Sequence, residues 1–60
     1  METEILNELE NAPPRGLYLD ELSKKLNRSR NTISKHVGIL EAKEKVRVEL
    51  VGRTKLVTLF

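Results

Sequence analysis

Only the dipeptide Asn27-Arg28 separates two segments, residues 20–26 and 29–42, whose apolar residues recur every three or four positions. That spacing places the apolar side chains on one face of a helix. Asparagine is the non-glycine residue that best tolerates the left-handed conformation at helix ends, and Ser29 is a favoured N-cap for a helix that ends near residues 41–43. A connection this short fixes the angle between two helices, so the sequence predicts a rigid helical pair.

The residues before this pair predict a short helix and an extended stretch. Thr3 is the predicted N-cap of a helix that runs to about Asn11 and ends before the Pro13-Pro14 pair. Residues 17–19, Leu-Tyr-Leu, then form a brief extended piece with both leucines inward, which can pair at the edge of a later sheet. Asp20 is the predicted N-cap of the second helix.

Residues 46–51 alternate apolar and polar side chains with period two, as a half-buried strand does. Gly52-Arg53 supplies a two-residue turn with glycine first, so Val51 pairs with Thr54. This register puts five apolar residues on one face, namely Val46, Val48, Leu50, Val57 and Leu59. Three more remain on the outer face, namely Val51, Leu56 and Phe60. The sequence therefore predicts a C-terminal hairpin with a core-facing side.

The length of the chain limits it to a single domain, residues 1–60. A domain of this size buries only about 60% of the surface that its unfolded chain exposes, so we expect marginal stability or help from a partner. The absence of cysteine excludes disulfides and thiolate metal sites and favours a reducing compartment. No apolar run approaches the roughly 18 residues of a membrane span, so we expect a soluble, intracellular protein with no membrane partner.

Charge is unevenly distributed along the chain. Residues 1–22 hold six acidic side chains against Arg15, a net charge of −5, and residues 23–60 hold ten basic against three acidic side chains, a net charge of +7. Such asymmetry is expected when one surface faces a polyanion. The alternative is two solvated surfaces that happen to differ in charge.

Four segments carry a family resemblance, namely Leu19-Asp20-Glu21-Leu22, residues 29–37 (Ser-Arg-Asn-Thr-Ile-Ser-Lys-His-Val), Leu40-Glu41 and Gly52-Arg53. In these the chain resembles the winged helix-turn-helix transcription regulators of prokaryotes, of the arsenical-resistance and multiple-antibiotic-resistance repressor type, and the N-terminal domain of biotin-operon repressors. Glu44 and Lys45 depart from the pattern, since such families commonly carry a glycine and an apolar residue there. The flanking helices or effector domain through which many members dimerise or sense a ligand are also missing from this sequence.

The resemblance implies an α+β fold, a three-helix winged helix-turn-helix with a short N-terminal strand and a C-terminal β-hairpin wing. Members of these families bind double-stranded DNA, usually as dimers. We therefore expect a cytoplasmic, nucleoid-associated transcription regulator that forms a homodimer, with helix 30–42 in the major groove and the wing at residues 52–55 on the backbone or in the minor groove. No cofactor, metal or small-molecule effector is evident from the residues.

Particular side chains are predicted to contact DNA. A helix in the major groove reaches base edges with its N-terminal residues, so the predicted base contacts are Asn31, Ser34 and Lys35. The predicted phosphate contacts are Arg28, Ser29, Arg30 and Thr32. Arg53 and Lys55 are the predicted wing contacts. The alternative for the helix is an ordinary solvated face.

Two side chains invite other interpretations. His36 is predicted to be a boundary residue that packs its ring and bonds locally, or touches a phosphate, rather than a metal ligand. Tyr18 is likewise predicted to pack at the boundary, because single-stranded nucleic-acid binders interleave several aromatic residues with basic ones. The sequence shows no nucleophile with a base beside it, so an enzyme is not predicted. The rival function is a winged-helix module that docks onto another protein in a larger nucleic-acid-processing assembly.

Overall fold

A computed structural model describes residues 1–60, which form three helices and one three-stranded antiparallel sheet. The elements are α1 (Glu2–Glu10), β1 (Leu17–Tyr18), α2 (Leu19–Leu26), α3 (Arg30–Ala42), β2 (Val46–Val51) and β3 (Thr54–Leu59). The strand order is β1-β3-β2, so the short first strand pairs with the last one. This arrangement confirms the predicted α+β winged-helix fold. Each helix is too short and too polar to span a bilayer.

Helix α1 starts earlier than the sequence predicts. Met1 is its N-cap, and the backbone N–H of Ile5 donates to the Met1 carbonyl at 3.1 Å, which closes a helical turn over Thr3. The prediction that Thr3 is the N-cap is therefore wrong, whereas the end of the helix agrees with the predicted one, since Glu10 is its last residue and Asn11 its C-cap. Ile5 and Leu9 are buried, as their spacing of four on one helix face requires.

Helix α2 also starts earlier, with Tyr18 rather than Asp20 as its N-cap, so the predicted cap is wrong. The carboxylate of Glu21 accepts a hydrogen bond from the Tyr18 backbone N–H at 2.9 Å, which satisfies a donor at the start of the helix. Asp20 is free of this role and lies on the surface. Because the helix takes Leu19, strand β1 shortens to two residues, yet Leu17 and Leu19 are both buried as predicted.

Backbone conformation and two reciprocal hydrogen bonds fix the connection between α2 and α3. Asn27 adopts the predicted left-handed conformation, with φ of 54°. The Arg28 backbone N–H donates to the Ser23 carbonyl at 3.1 Å, and the Ser23 hydroxyl donates back to the Arg28 carbonyl at 2.5 Å. These reciprocal bonds hold the chain in one path between the helices, which is the rigidity that the short connection predicts.

Helix α3 ends in a turn whose central residue is Glu44, with φ of 59°. The Glu44 N–H donates to the Glu41 carbonyl at 2.9 Å, and the Lys45 N–H donates to the Leu40 carbonyl at 3.0 Å. This pair of bonds is the Schellman arrangement, which usually places glycine at the left-handed position. The turn therefore forms although glutamate replaces the glycine that the resemblance leads one to expect.

The hairpin has the predicted register, with Val51 opposite Thr54, Val48 opposite Val57 and Val46 opposite Leu59. Its inner face is only partly covered, because Leu50 and Leu59 are exposed while Val46 and Val57 are buried. The register confirms that the five apolar residues share one face. Burial on that face is uneven, because Leu59 is exposed although it lies opposite the buried Val46, and Leu50 is exposed near the wing tip.

The core draws on every element of the fold. Its ten buried hydrophobic residues are Ile5, Leu9, Leu17, Leu19, Leu22, Ile33, Val37, Leu40, Val46 and Val57. The three residues that the sequence predicts as the buried stripe of α3 are all among them. Helix α3 thus packs its apolar side inward and leaves its opposite side free.

Candidate nucleic-acid interface

A groove of about 610 Å³ lies between the start of α3 and the wing. Nine residues line it, namely Leu19, Ser29, Arg30, Asn31, Ser34, Leu50, Arg53, Thr54 and Lys55. Six of these are residues that the sequence predicts to contact DNA, from both the helix and the wing. The fold therefore brings the two predicted halves of the site to one place.

Three predicted site residues, Arg28, Thr32 and Lys35, do not line this groove. Lys35 and Arg28 are exposed, so both side chains are accessible to a partner. Thr32 takes part in the cap of α3, where its backbone N–H donates to the Ser29 hydroxyl oxygen at 3.2 Å and the two hydroxyl oxygens lie 2.9 Å apart. Its side chain therefore has a local hydrogen-bond partner as well as the predicted role.

The free side of α3 carries small and polar residues. Asn31, Lys35, Gly38 and Ala42 are exposed, and Ser34 is half-buried. A Cβ atom placed on Gly38 would meet no atom within 4 Å, so this part of the helix faces open space. The side that the apolar stripe leaves free is thus open enough for a large partner to approach the helix backbone.

The start of α3 is electrostatically suited to an anion. Backbone N–H groups at a helix N-terminus are incompletely hydrogen-bonded and carry partial positive charge. The first turn of α3 contains no acidic residue to compensate that charge, and the side chain of Ser29 accepts only the N–H of Thr32. Arg30 adds a positive charge at the same end, which the carboxylate of Asp20 offsets in part, and the remaining positive potential favours phosphate oxygens there.

Arg30 is held in place by an ion pair across the two helices. Its Nε atom lies 2.7 Å from Oδ1 of Asp20, and both side chains are more than half exposed. An exposed pair of this kind adds at most about 1 kcal/mol to stability. Asp20 contacts the guanidinium group of Arg30 at Nε. The edge formed by the two terminal nitrogens is not used by this ion pair. Asp20 thus orients a groove residue instead of capping its own helix.

A second charged cluster lies at the start of α2. Arg15 donates to the Glu21 carboxylate at 3.2 Å and lies 5.3 Å from the centre of the Tyr18 ring. The hydrogen bond from Arg15, together with that from the Tyr18 N–H, holds the pKa of Glu21 below its usual value. The same carboxylate raises the pKa of Arg15. Tyr18 is half-buried, as predicted for a boundary residue.

His36 is half-buried on α3, which confirms its predicted boundary position. Its Nδ1 atom is buried and has no hydrogen-bond partner, so the local bond predicted for this ring is absent at that nitrogen. No group of three or more His, Asp or Glu side chains is arranged to hold a metal ion.

Sequence reasoning missed three groove residues, Leu19, Leu50 and Thr54. The alternation predicts Leu19 as inward and Leu50 on the inner face of the hairpin, and Leu19 is indeed buried although it reaches the groove wall. Leu50 lies one residue before the end of β2, and alternation does not show whether another element covers that position.

Three helices, a hairpin wing and a cationic groove between them define a winged helix-turn-helix domain of the DNA-binding class. A family model described as an HTH domain, for helix-turn-helix, matches residues 2–54, and the chain belongs to that family. Domains of this family bind DNA and typically have no enzymatic activity. A search of curated proteins finds no match to the chain.

Proposed function

We propose that residues 1–60 act as a single domain that binds double-stranded DNA sequence-specifically and regulates transcription. The observation that carries the proposal is the groove in which the start of α3 meets the wing. It joins amide and hydroxyl groups suited to base edges with three cationic side chains suited to phosphates, Arg30, Arg53 and Lys55. Neither set alone distinguishes a DNA reader from a solvated surface.

In this proposal the first two turns of α3 lie in the major groove. Asn31 hydrogen-bonds an adenine through its amide, and Lys35 donates to O6 and N7 of a guanine. Ser34, which is half-buried on the same side of the helix, accepts or donates as the base requires. A good bidentate pair discriminates against the wrong base by about 1–3 kcal/mol. These three residues therefore supply the sequence preference.

The remaining contacts position the protein on the duplex. Arg28, Ser29, Arg30 and Thr32 bind phosphates around the free N–H groups of α3. Arg53 and Lys55 reach the adjacent backbone or a narrow minor groove from the wing, since negative potential is strongest there. Phosphate contacts set register and affinity, and they make binding depend on salt.

The test is a charge reversal on the free side of α3. Lys35→Glu is expected to abolish binding to a duplex selected from a random pool, because it puts a negative charge where the proposal has a cation donate to a guanine in the major groove of the DNA. The variant is expected to fold, since Lys35 is exposed and contributes nothing to the core. Gel shifts measure the affinity and circular dichroism checks the fold.

Lys45→Glu is the matched control, because it makes the same charge change on an exposed side chain past the other end of α3. It is expected to weaken binding only slightly through the change in net charge. Equal affinity of wild type and Lys35→Glu, or equal losses in the two variants, would refute the placement of α3.

We propose that the active species is a homodimer, cytoplasmic and associated with the nucleoid, as in the prokaryotic repressors of arsenical and antibiotic resistance that the sequence resembles. The exposed apolar residues Val51 and Phe60 on the outer sheet face support a contact with a second copy.

The same outer face favours the alternative function, docking onto another protein of a nucleic-acid-processing assembly. Salt dependence separates the two functions. Neutralising about six phosphates should give a log-log salt slope near six times −0.9, whereas docking through an apolar face should depend only weakly on salt.

A further inference from the structure

The inner face of strand β2 stays apolar beyond the point where the core can use it. Val46 is 1% exposed, Val48 is half-buried and Leu50 is 72% exposed, although all three point to the same side of the sheet. The strand therefore leaves the protein interior as it approaches the wing tip. Leu50 is the most exposed large apolar side chain in the protein.

Leu50 lies in a setting that is otherwise polar and cationic. Of the nine residues that line the groove between α3 and the wing, only Leu19 and Leu50 are apolar. Leu50 is paired across the hairpin with Lys55, which lines the same groove. An isolated leucine surrounded by arginine, lysine, asparagine and serine contributes little to folding, since most of its surface stays in water.

The charges and hydrogen-bonding groups that line the groove indicate which class of ligand would cover Leu50. Arg30, Arg53 and Lys55 favour a polyanion, and Asn31 and Ser34 match the donors and acceptors of base edges. In the major groove of a duplex, the apolar group displayed beside those donors and acceptors is the 5-methyl group of thymine. A leucine side chain at the edge of the groove fits that methyl group and no phosphate or amine.

We propose that Leu50 forms an apolar subsite for the methyl group of a thymine in the bound duplex, in the groove whose wall Leu19 also reaches. The inference rests on the proposed function and extends it, because Leu50 lies on the side of the wing that faces α3 and then reads a base in the major groove, while Arg53 at the wing tip binds the backbone. Hydrogen bonds from Asn31 and Lys35 specify their bases, and Leu50 specifies a thymine next to them.

The test removes the methyl group from the DNA and nothing else. Deoxyuridine pairs with adenine as thymine does but lacks the 5-methyl group. Each thymine of the selected duplex is replaced in turn by deoxyuridine, and affinity is measured by fluorescence anisotropy at fixed salt. Burying one methyl group corresponds to about fourfold in affinity, so one position should show a loss of that size with the wild-type protein.

The matched protein variants are Leu50→Ala and Leu59→Ala, which make the same change on two exposed leucines of the hairpin. Leu59 pairs with Val46 at the end of the hairpin away from the wing tip and does not line the groove. Leu50→Ala should bind the thymine duplex several-fold more weakly and should no longer distinguish deoxyuridine at the sensitive position. Leu59→Ala should keep the wild-type fourfold preference there.

The outcomes separate this inference from the function on which it rests. Specific binding that is lost in Lys35→Glu but is insensitive to deoxyuridine at every position would overturn the leucine subsite and leave the proposed function standing. A deoxyuridine effect of equal size in wild type and Leu50→Ala would overturn it as well. A random pool in which no duplex is enriched would overturn the proposed function and the subsite together.

Discussion

Two residues other than glycine, Asn27 and Glu44, hold the left-handed backbone conformation at the ends of α2 and α3. Asparagine tolerates this conformation better than most residues, whereas glutamate has no short polar group to compensate the steric cost. That cost is about 1–2 kcal/mol. A 60-residue domain has a total stability of roughly 3–9 kcal/mol at typical values per residue, so the strain at Glu44 is a substantial share.

Glu44→Gly is expected to raise the free energy of unfolding by about 0.5–1 kcal/mol. Glycine removes the steric cost at φ of 59° but adds entropy to the unfolded chain, which offsets part of the gain. Urea unfolding followed by circular dichroism measures the change. Glu41→Gly, within the last turn of α3, should instead lower stability by about 1 kcal/mol. A lower midpoint for Glu44→Gly would contradict the argument.

Gly38→Ala is expected to stabilise the protein by about 0.5–1 kcal/mol, because alanine is the better helix former and its methyl group enters open space. Gly16→Ala is the contrasting variant. Gly16 has φ of 88°, and an added Cβ would clash with the Val57 carbonyl, so this change should cost more than the 1–2 kcal/mol of the backbone conformation alone. Thermal melts of both proteins check the opposite signs. Equal melting temperatures would contradict these placements.

At the scale of elements, helix boundaries depend on side chains several residues away. Helix α2 starts at Leu19 because the Glu21 carboxylate accepts the Tyr18 N–H, and Arg15 fixes that carboxylate from the preceding turn. The ionised carboxylate of Glu21 accepts these hydrogen bonds more strongly than the neutral acid does. The stabilisation that Glu21 gives to the helix start therefore depends on pH.

Glu21→Gln is expected to remove a stabilisation that exists only above the usual pKa of glutamate. The hydrogen bond from Arg15 lowers the pKa of Glu21 in the folded protein, so the contribution of Glu21 is fully present above its usual pKa and is lost as the pH falls through the lower folded-state pKa. The melting temperatures of wild type and Glu21→Gln should differ at neutral pH and converge in acid. High salt should shrink the neutral-pH difference, since the pair is exposed. A difference that grows in acid would contradict the assignment.

The elements that the sequence predicts best are those specified by local patterns. The period-two alternation of residues 46–51 and the Gly52-Arg53 turn determine the hairpin register, and the stripe through Ile33 and Val37 determines the inner side of α3. The N-caps of α1 and α2 are not predicted from residue type, because Thr3 and Asp20 are favoured cap residues. In the structure Met1 and Tyr18 are the N-caps instead, so each helix starts before the expected residue. The exposure of Leu50 was missed because alternation sets a side of the sheet and says nothing about what covers it.

The candidate site could be predicted only in part for a related reason. The residues at the start of α3 follow from helix geometry, and the wing residues follow from the turn. That Arg30 and Arg53 share one groove depends on how the hairpin packs against the helices, which no local pattern encodes. The ion pair of Arg30 with Asp20 likewise joins two helices and was not visible in the sequence.

At the scale of the whole molecule, one core serves both the helices and the wing. All six elements contribute to the ten buried residues, so the groove cannot persist if any part of the core is lost. A core this small leaves little reserve, and any partner that binds only the folded state will raise the apparent stability. Two exposed apolar residues on the outer sheet face, Val51 and Phe60, lie outside that core.

We expect the protein to bind as a homodimer to duplexes with two half-sites about 10 bp apart, or a multiple of that distance. Sedimentation of the complex should give two chains per duplex, and Phe60→Ser should lower the dimer fraction because Phe60 is exposed on the outer face. Shifting the half-site spacing by 5 bp is the control, since it turns one site to the opposite side of the helix. A single chain bound to a single half-site would refute the dimer.

The reciprocal hydrogen bonds between Ser23 and Arg28 limit how far the protein can change shape to fit a DNA duplex. Because the connection is held by hydrogen bonds in both directions, we expect the angle between α2 and α3 to change little when the protein binds DNA. Any mismatch in shape must then be absorbed by bending or untwisting the nucleic acid. Flexible base steps at positions that the protein never touches will therefore be preferred over stiff ones.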